Sequence, residues 1–380
     1  MNILIAPDSF KESLSATEVC RFIESGIKKT LFNANITSVP LSDGGEGFVQ
    51  TIIDATSGRL IKVKAHDPLM RPIDAEYGIL GDNETAIIEM TKVSGLELLS
   101  SKERNPWITT TYGTGELIRD ALNKACKKLI IGIGGSATND GGAGMIEALG
   151  GKLLTTNGKQ IEKGGGALKQ LATIDLANLD KRLSECQVLV ACDVINPLLG
   201  KNGASFVFAR QKGANSEMIK LLEENLSHYA NIIQQEIGKD ISDVPGTGAA
   251  GGIGAGLIAF LNAELKPGFD IIRDILNLDE YIKQADLIFT AEGKVDFQTQ
   301  FGKTPFGVAQ VAKKYNKPVI CLAGSIGEGV EVLYNKGILS VFSIINKPML
   351  LDEAIANASL LLEETAERVM RLYLINKNFV

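Results

Sequence analysis

The sequence predicts an α/β protein of two domains, a doubly wound parallel sheet interrupted by a second, mixed α/β domain. Three observations carry that prediction. The first two and the last three apolar strand runs are each followed by a helical pattern, which makes five βα units split between the chain's two ends. After the second unit the pattern changes to short strands separated by Pro, Gly and Asp-Asn turns, with no helix between them. In the middle of the chain, Leu129 to Gly144 reads as an apolar strand, a glycine-rich polar turn and a helix start.

Taken in order, NILIAP is a strand and DSFKESLS a turn. The helix from about Ala16 to Thr30 is opened by Ser15, with Glu18 three residues on as its capping-box partner. ITSVPL is the second strand, SDGGEG a turn, and FVQTIIDAT a helix. IKVKAHD, AEYGIL and TAIIEM are the helix-free strands. A helix within TTTYGTGELIRDALNKAC leads into the Leu129 strand, and VLVACDV is a further apolar strand ending in Asp193. Asn215 to Gly238 is a long amphipathic helix, and Gly246 to Phe260 a second glycine-rich run leading into a helix. Three closing units follow: DLIFTAEG with the helix TPFGVAQVAKKY, PVICLAG with the helix GEGVEVLYNKG, and SVFSII with a helix from about Asp352 to Tyr373.

Composition excludes several function classes. The 380 residues suffice for two cores. The net charge of −6 with dispersed Lys and Arg leaves no nucleic-acid footprint. No apolar run approaches the length of a membrane span, and the start MNILIAP enters a strand without a basic leader. The five cysteines are scattered without CxxC spacing, so a reduced, cytoplasmic setting is expected. With two histidines, His66 and His228, acid–base work falls to carboxylates and lysines.

The turn after Leu129 has the form of an anion site. Gly134, Gly135, Gly141 and Gly142 let the backbone approach an oxygen closely; backbone N–H groups and the helix start point at one spot, and Ser136, Thr138 and Asn139 add polar side chains. A plain strand-to-helix turn needs fewer of both. No P-loop is present: Gly302-Lys303-Thr304 has Phe297 where the first glycine would stand. GTGAAG at 246–251 matches GxGxxG without a preceding strand, and GIGGSA at 132–137 is a lone match. The loops after the outer strands carry Asp8, Ser9, Lys11, Asp43, Glu46, Glu292, Asp296 and Lys303, where open α/β sheets bind ligands. Helix capping, a DG turn and solvated lysines would account for some of these, but Glu292 leaves a buried strand directly.

Together, IAPDSFKESLSA, DGGEG, TTTYGTGELIRDAL, GIGGSATNDGGAGM, ACDV, GAAGGIGAGL, EGKVDFQT and LAGS resemble the bacterial glycerate kinase family of type 1, the glycerate 2-kinase group, in order and over nearly the whole chain. Ala291 stands where that family usually has Gly, and Lys294 where it usually has Arg. The resemblance implies Mg²⁺-assisted, ATP-dependent phosphorylation of D-glycerate. It also implies a flavodoxin-like domain, here expected at 1–62 and 284–380, interrupted by an α/β domain at 63–283. On this reading ATP phosphates lie on the turn formed by Gly134, Gly135, Ser136, Thr138, Asn139, Gly141 and Gly142. Asp193 or Asp140 holds Mg²⁺, and Asp8, Ser9, Lys11, Glu46, Glu292, Asp296 and Lys303 surround glycerate. Asp193, then Asp43, is expected to take the hydroxyl proton, with Lys11 as a catalytic cation and closure of the two domains over the substrates. Neither nucleic acid nor membrane is an expected partner. The alternatives are a glycerate 3-kinase, a non-catalytic small-molecule binding protein on the same fold, and a flavin- or NAD-dependent oxidoreductase. The last lacks the acidic ribose partner after its strand.

Overall fold

Among the described residues the strands in chain order are β1 (Asn2–Ile5), β2 (Asn35–Ser38), β3 (Arg59–His66), β4 (Pro72–Ile79), β5 (Thr85–Glu89), β6 (Lys128–Gly132), β7 (Lys152–Leu154), β8 (Thr173–Asp175), β9 (Gln187–Ala191), β10 (Glu264–Lys266), β11 (Leu287–Val295), β12 (Val319–Ile326) and β13 (Ile338–Ser343). They belong to a computed structural model that describes residues 1–42 and 48–378. The chain divides into two compact units, Met1–Ala55 with Gly268–Val380, and Thr56–Pro267.

The first unit is built on a five-stranded sheet of order β13-β12-β11-β1-β2 with every pairing parallel. Counted along the unit, that is 2-1-3-4-5, the flavodoxin-like order. Residues of β1, β11 and β12, among them Ile3, Ile5, Phe289 and Leu322, are buried against Val19, Ile23, Ile27, Leu362 and Met370 of the helices Ala16–Lys28 and Ala358–Asn378. The two helices cross so closely that a Cβ on Gly26 would fall 2.2 Å from the Glu363 carbonyl. The Ser15–Glu18 capping box is present, Glu18 N donating to Ser15 Oγ at 3.3 Å and Ser15 N to Glu18 Oε2 at 2.9 Å. Two local expectations change. Residues Val330–Lys336 form a 3-10 turn, not an α-helix, between left-handed Gly329 and Gly337, and the closing helix is broken at Asn357 into Leu351–Ala356 and Ala358–Asn378.

The second unit holds a six-stranded sheet of order β10-β9-β6-β5-β4-β3. Its β3-β4-β5 side is antiparallel, as the helix-free strand run implies, and its β5-β6-β9-β10 side is parallel. A small β7-β8 pair occupies the turn-rich stretch after Leu149. The long helix is Ser216–Ile237; Asn215 caps it through Met218 N at 2.8 Å, and Gly238 ends it at φ 78°. The unit boundaries lie at 55/56 and 267/268, earlier than the expected 62/63 and 283/284. β3 pairs along its whole length with β4, which draws residues 59–62 into the second unit. The helix Gly268–Ile275 instead packs on the first unit, where a Cβ on Gly307 would fall 2.5 Å from the Phe269 ring.

Candidate active site

The parallel side of the six-stranded sheet places three chain segments at one edge. Glu89 of β5 registers with Gly132 of β6, and Gly132 with Ala191 of β9. The loop after β6 and Asp193, two residues past β9, therefore leave the sheet side by side. Asp193 is exposed rather than closing a buried strand, because β9 ends at Ala191. Of the loop, only Gly134 and Gly135 are exposed; Ser136 to Gly142 are buried. Gly135 has φ 66°, and a Cβ on Gly134 would meet open space. The backbone of 94–96 clamps one side of the loop, through Leu96 N to the Gly135 carbonyl and Ala137 N to the Ser94 carbonyl, each 2.9 Å.

Beneath the exposed glycines the loop is a closed polar network. Asp140 is fully buried. Its Oδ2 accepts from Thr111 N at 2.8 Å, Thr111 Oγ1 at 3.0 Å, Gly144 N at 3.2 Å and Thr110 Oγ1 at 3.3 Å; its Oδ1 accepts from Gly142 N at 3.3 Å. Burial pushes its carboxyl pKa up, opposed by the hydrogen bonds from Thr111, Gly144 and Gly142. Lys212, only 1% exposed, donates from Nζ to Ser136 Oγ and to the Thr138 carbonyl, both at 2.7 Å. Burial lowers its pKa to about 7, with the Asp140 charge pulling the other way. Thr138 and Asn139 are also fully buried; Asn139 Nδ2 donates to Ser205 Oγ at 3.2 Å. The following helix, Ala143–Ala148, is six residues long, so its dipole adds less than the sequence suggests. From behind, the 246–252 run presses on the loop: Gly251 O accepts from Gly141 N at 3.1 Å.

In the first unit a cavity of about 820 Å³ opens over the C-terminal ends of the parallel strands. Asp8, Ser9 and Lys11 come from the loop after β1, Glu292 and Lys294 from β11, Ser325 from β12, and Lys303 from the loop before the helix Thr304–Lys314. Ile345, Met349, Leu351 and Ile355 form an apolar wall. Asp8 is nearly buried: Oδ2 accepts from Thr304 Oγ1 at 2.6 Å and Oδ1 from Ser9 N at 2.7 Å. Lys303 Nζ is paired with Glu292 Oε1. Asp296 is not among the cavity's lining residues. It caps the 3-10 turn Phe297–Gln300 through Gln298 N at 2.9 Å and pairs with Lys294 Nζ at 3.1 Å. Burial works to raise the Asp296 pKa, but Lys294 and the Gln298 N–H outweigh it and hold the carboxyl below its usual range.

Of the residues singled out from the sequence, the structure thus brings together Asp8, Ser9, Lys11, Glu292 and Lys303 in one cavity, and Gly134, Gly135, Ser136, Thr138, Asn139, Asp140, Gly141 and Gly142 in one loop, with Asp193 at the same sheet edge as the loop. Asp43 and Glu46 lie outside the described residues. Both histidines are engaged by neighbours: His66 Nδ1 lies 3.0 Å from Glu116 and His228 Nε2 2.6 Å from the Leu171 carbonyl. Sequence reasoning missed Lys212, whose RQKGA setting reads as a surface turn. It also missed the use of Thr110 and Thr111, although TTTYGTG was an available signal.

Mg²⁺ bound with a nucleotide keeps several waters and takes one or two carboxylates beside phosphate oxygens. Asp193, an exposed carboxylate beside the glycine loop, fits that requirement. Asp140 does not, since the loop's own donors engage both of its oxygens. Among the described residues no group of three or more His, Cys, Asp or Glu could hold a metal by itself, and no helix is long and apolar enough to cross a membrane.

Comparison with known proteins places this architecture. A sequence model of the glycerate kinase family matches residues 3–374. The chain is 50% identical over 376 residues to a glycerate kinase of Halalkalibacterium halodurans, covering 99% of each chain. It is 52% identical over 358 residues to the glycerate 2-kinase of Escherichia coli, covering 94% of each. A crystal structure of a protein assigned as glycerate kinase 2 from Salmonella typhimurium LT2 superposes with a TM-score of 0.91, at 47% identity and 100% coverage of both chains.

Proposed function

The chain belongs to the glycerate kinase family, and from that premise we propose that it transfers the γ-phosphoryl group of ATP to the 2-hydroxyl of D-glycerate with the help of Mg²⁺. The observation that carries the choice of hydroxyl is the 52% identity to a protein known as glycerate 2-kinase. The cavity over the five-stranded sheet suits the acceptor. Lys11 and Lys303 offer cations for its carboxylate, and Ser9, Asp8 and Glu292 offer hydrogen-bonding partners for its hydroxyls. Asp8 is held in place by Thr304 and Ser9, so a hydroxyl bonded to it would be oriented at little entropic cost.

The loop after β6 suits the phosphates. Gly134 and Gly135 present backbone at the surface without a Cβ, Ser136 lies just below, and Thr138, Asn139, Gly141 and Gly142 support them from the interior. Asp193 is the residue that would hold Mg²⁺, which when bound neutralises charge on the phosphate oxygens. Asp193 is also the carboxylate proposed to take the hydroxyl proton; the two roles differ in how a variant responds to metal concentration. Phosphoryl transfer otherwise asks the protein for positioning and charge neutralisation.

The test is ³¹P and ¹H NMR of the purified protein with D-glycerate, ATP and Mg²⁺. A new phosphomonoester coupled to the C2 proton is the expected product. Coupling to the C3 protons would give a glycerate 3-kinase instead. Absence of any phosphoester, with ATP still raising the melting temperature, would leave a binding protein.

A further inference from the structure

Lys212 ends the 3-10 turn Arg210–Lys212, which is packed closely against Arg104. Gly213 follows at φ 99°, and a Cβ there would lie 2.2 Å from the Arg104 carbonyl. The Lys212 side chain runs inward to the glycine loop, where its two 2.7 Å hydrogen bonds hold Ser136 Oγ and the Thr138 carbonyl. Backbone bonds from 94–96 hold the loop at Gly135 and Ala137, the two residues flanking Ser136. The loop beside the exposed Gly134–Gly135 pair is thus anchored by the 94–96 backbone, at Gly135 and Ala137, and by the Lys212 ammonium, at Ser136 and Thr138.

Such a lysine is an unusual choice for packing alone. A buried ammonium is costly, and an apolar side chain of similar length would be the stabilising option. Lys212 forms no ion pair in this structure among the described residues; the charge acting on it through the interior is that of Asp140, whose oxygens are engaged by the loop. Two further buried polar atoms of the loop, Thr138 Oγ1 and Asn139 Oδ1, have no partner among the described residues. The interior of the loop therefore holds a buried ammonium, the buried Asp140 carboxylate and unused hydrogen-bonding capacity.

We propose that Lys212 is a positioning residue for the nucleotide: its ammonium fixes Ser136 and Thr138 so that the Gly134–Gly135 backbone is set to receive phosphate oxygens, and its charge offsets that of the Asp140 carboxylate in the loop. This rests on the reading that ATP phosphates occupy that loop. The Asp140 charge acts on Lys212 and on Tyr229 of the helix Ser216–Ile237, and Arg104 and Arg210 flank the turn. Burial holds the Tyr229 hydroxyl un-ionised. Burial lowers the Lys212 pKa to about 7, so its charge changes near neutral pH.

The experiment is calorimetric titration of the full-length protein with Mg-ATP at pH 6.5 and 8.5, for wild type, Lys212→Met and Lys212→Arg, with steady-state kinetics at pH 6.5. Lys212→Met is expected to bind ATP at least tenfold more weakly at pH 6.5 and to raise KM for ATP in proportion. Its KM for glycerate stays within twofold, and its melting temperature is not below that of wild type by more than a few degrees. Lys212→Arg recovers part of the affinity. Between pH 6.5 and 8.5 wild type falls toward the affinity of Lys212→Met, whose own affinity changes less. Wild-type ATP affinity in a folded Lys212→Met, or equal losses for ATP and glycerate, would overturn the proposal. Should Lys212→Met not fold, a wild-type ATP affinity that is flat across the same pH range would overturn it equally. A wild-type protein that binds no ATP would instead overturn the nucleotide reading, and the positioning role with it.

Discussion

Replacing Gly251 by Ala tests whether the glycine loop is held from behind. Gly251 has φ 73°, and a Cβ there would fall 1.9 Å from the Thr138 carbonyl oxygen and 2.7 Å from Asn139 Cα. Those atoms are buried backbone, and the same oxygen accepts from Lys212, so it cannot yield as a flexible side chain would. The left-handed backbone alone costs Ala about 1–2 kcal/mol. Forcing a methyl into filled space adds about 1–3 kcal/mol. The sum, about 2–5 kcal/mol, lowers the melting temperature by roughly 4–20 °C for a domain of about two hundred residues. Gly158 offers a matched control. It has the same φ of 73°, and a Cβ there meets nothing within 4 Å, so Gly158→Ala carries the backbone cost without the clash. Scanning calorimetry of the two variants should separate them by the packing contribution, and Gly251→Ala should also lose ATP affinity as the loop shifts. Equal melting temperatures for the two variants would refute the close-packed support of the loop.

Asp193→Asn should lower kcat by about 10²–10⁴ if Asp193 takes the proton; a loss restored by raising Mg²⁺ or substituting Mn²⁺ would assign it to the metal, and a change confined to KM would remove it from both roles. Lys303→Met should raise KM for glycerate about ten- to a hundredfold with KM for ATP unchanged, and steady-state kinetics with each substrate varied in turn will show whether it does. The Lys212 ammonium also predicts a pH dependence of stability. Its folded pKa of about 7 lies below the ordinary 10.5, so between those values the unfolded chain binds a proton that the folded chain lacks, and this group's contribution to stability rises as pH rises through that window toward 10.5. Below pH 7 the burial cost is fully present. The stability of Lys212→Met relative to wild type should therefore be greatest near pH 6 and decline toward pH 10; a difference in urea midpoints that does not vary with pH would refute the charge assignment.

The fold could be read from the sequence where local physics suffices. Ser15 and Glu18 announce a helix start because a capping box is complete within four residues. Asn215 and Gly238 bound their helix for the same reason, one accepting from its first turn and the other adopting the left-handed conformation that ends it. The outer βα units and the helix-free strands are visible as periodicity, whereas the flavodoxin-like order β13-β12-β11-β1-β2 is implied by the family resemblance and not by periodicity. Local signals failed where two outcomes share a pattern. Val330–Lys336 has helical composition but is cut to a 3-10 turn by Gly329 and Gly337, and Asn357 splits a helix whose apolar spacing continues across it.

For the site, the sequence by itself marked the glycine loop after β6 and the charged loops of the outer strands. A plain turn needs no such cluster of glycines, and the C-terminal ends of parallel strands are where open α/β sheets bind ligands. Which of those side chains are buried, and which neighbours hold them, is visible in the folded chain alone. Asp140 reads as a metal ligand until Thr110 and Thr111, some thirty positions away, are seen to saturate it. Asp193 reads as buried until β9 is seen to end two residues earlier. Lys212 reads as solvent-exposed until a turn pinned against Arg104 directs it under Ser136. Hydrophobic pattern reports which apolar residues face inward; whether a polar side chain is buried depends on partners remote in the chain that can satisfy it, and those are brought together by the fold alone.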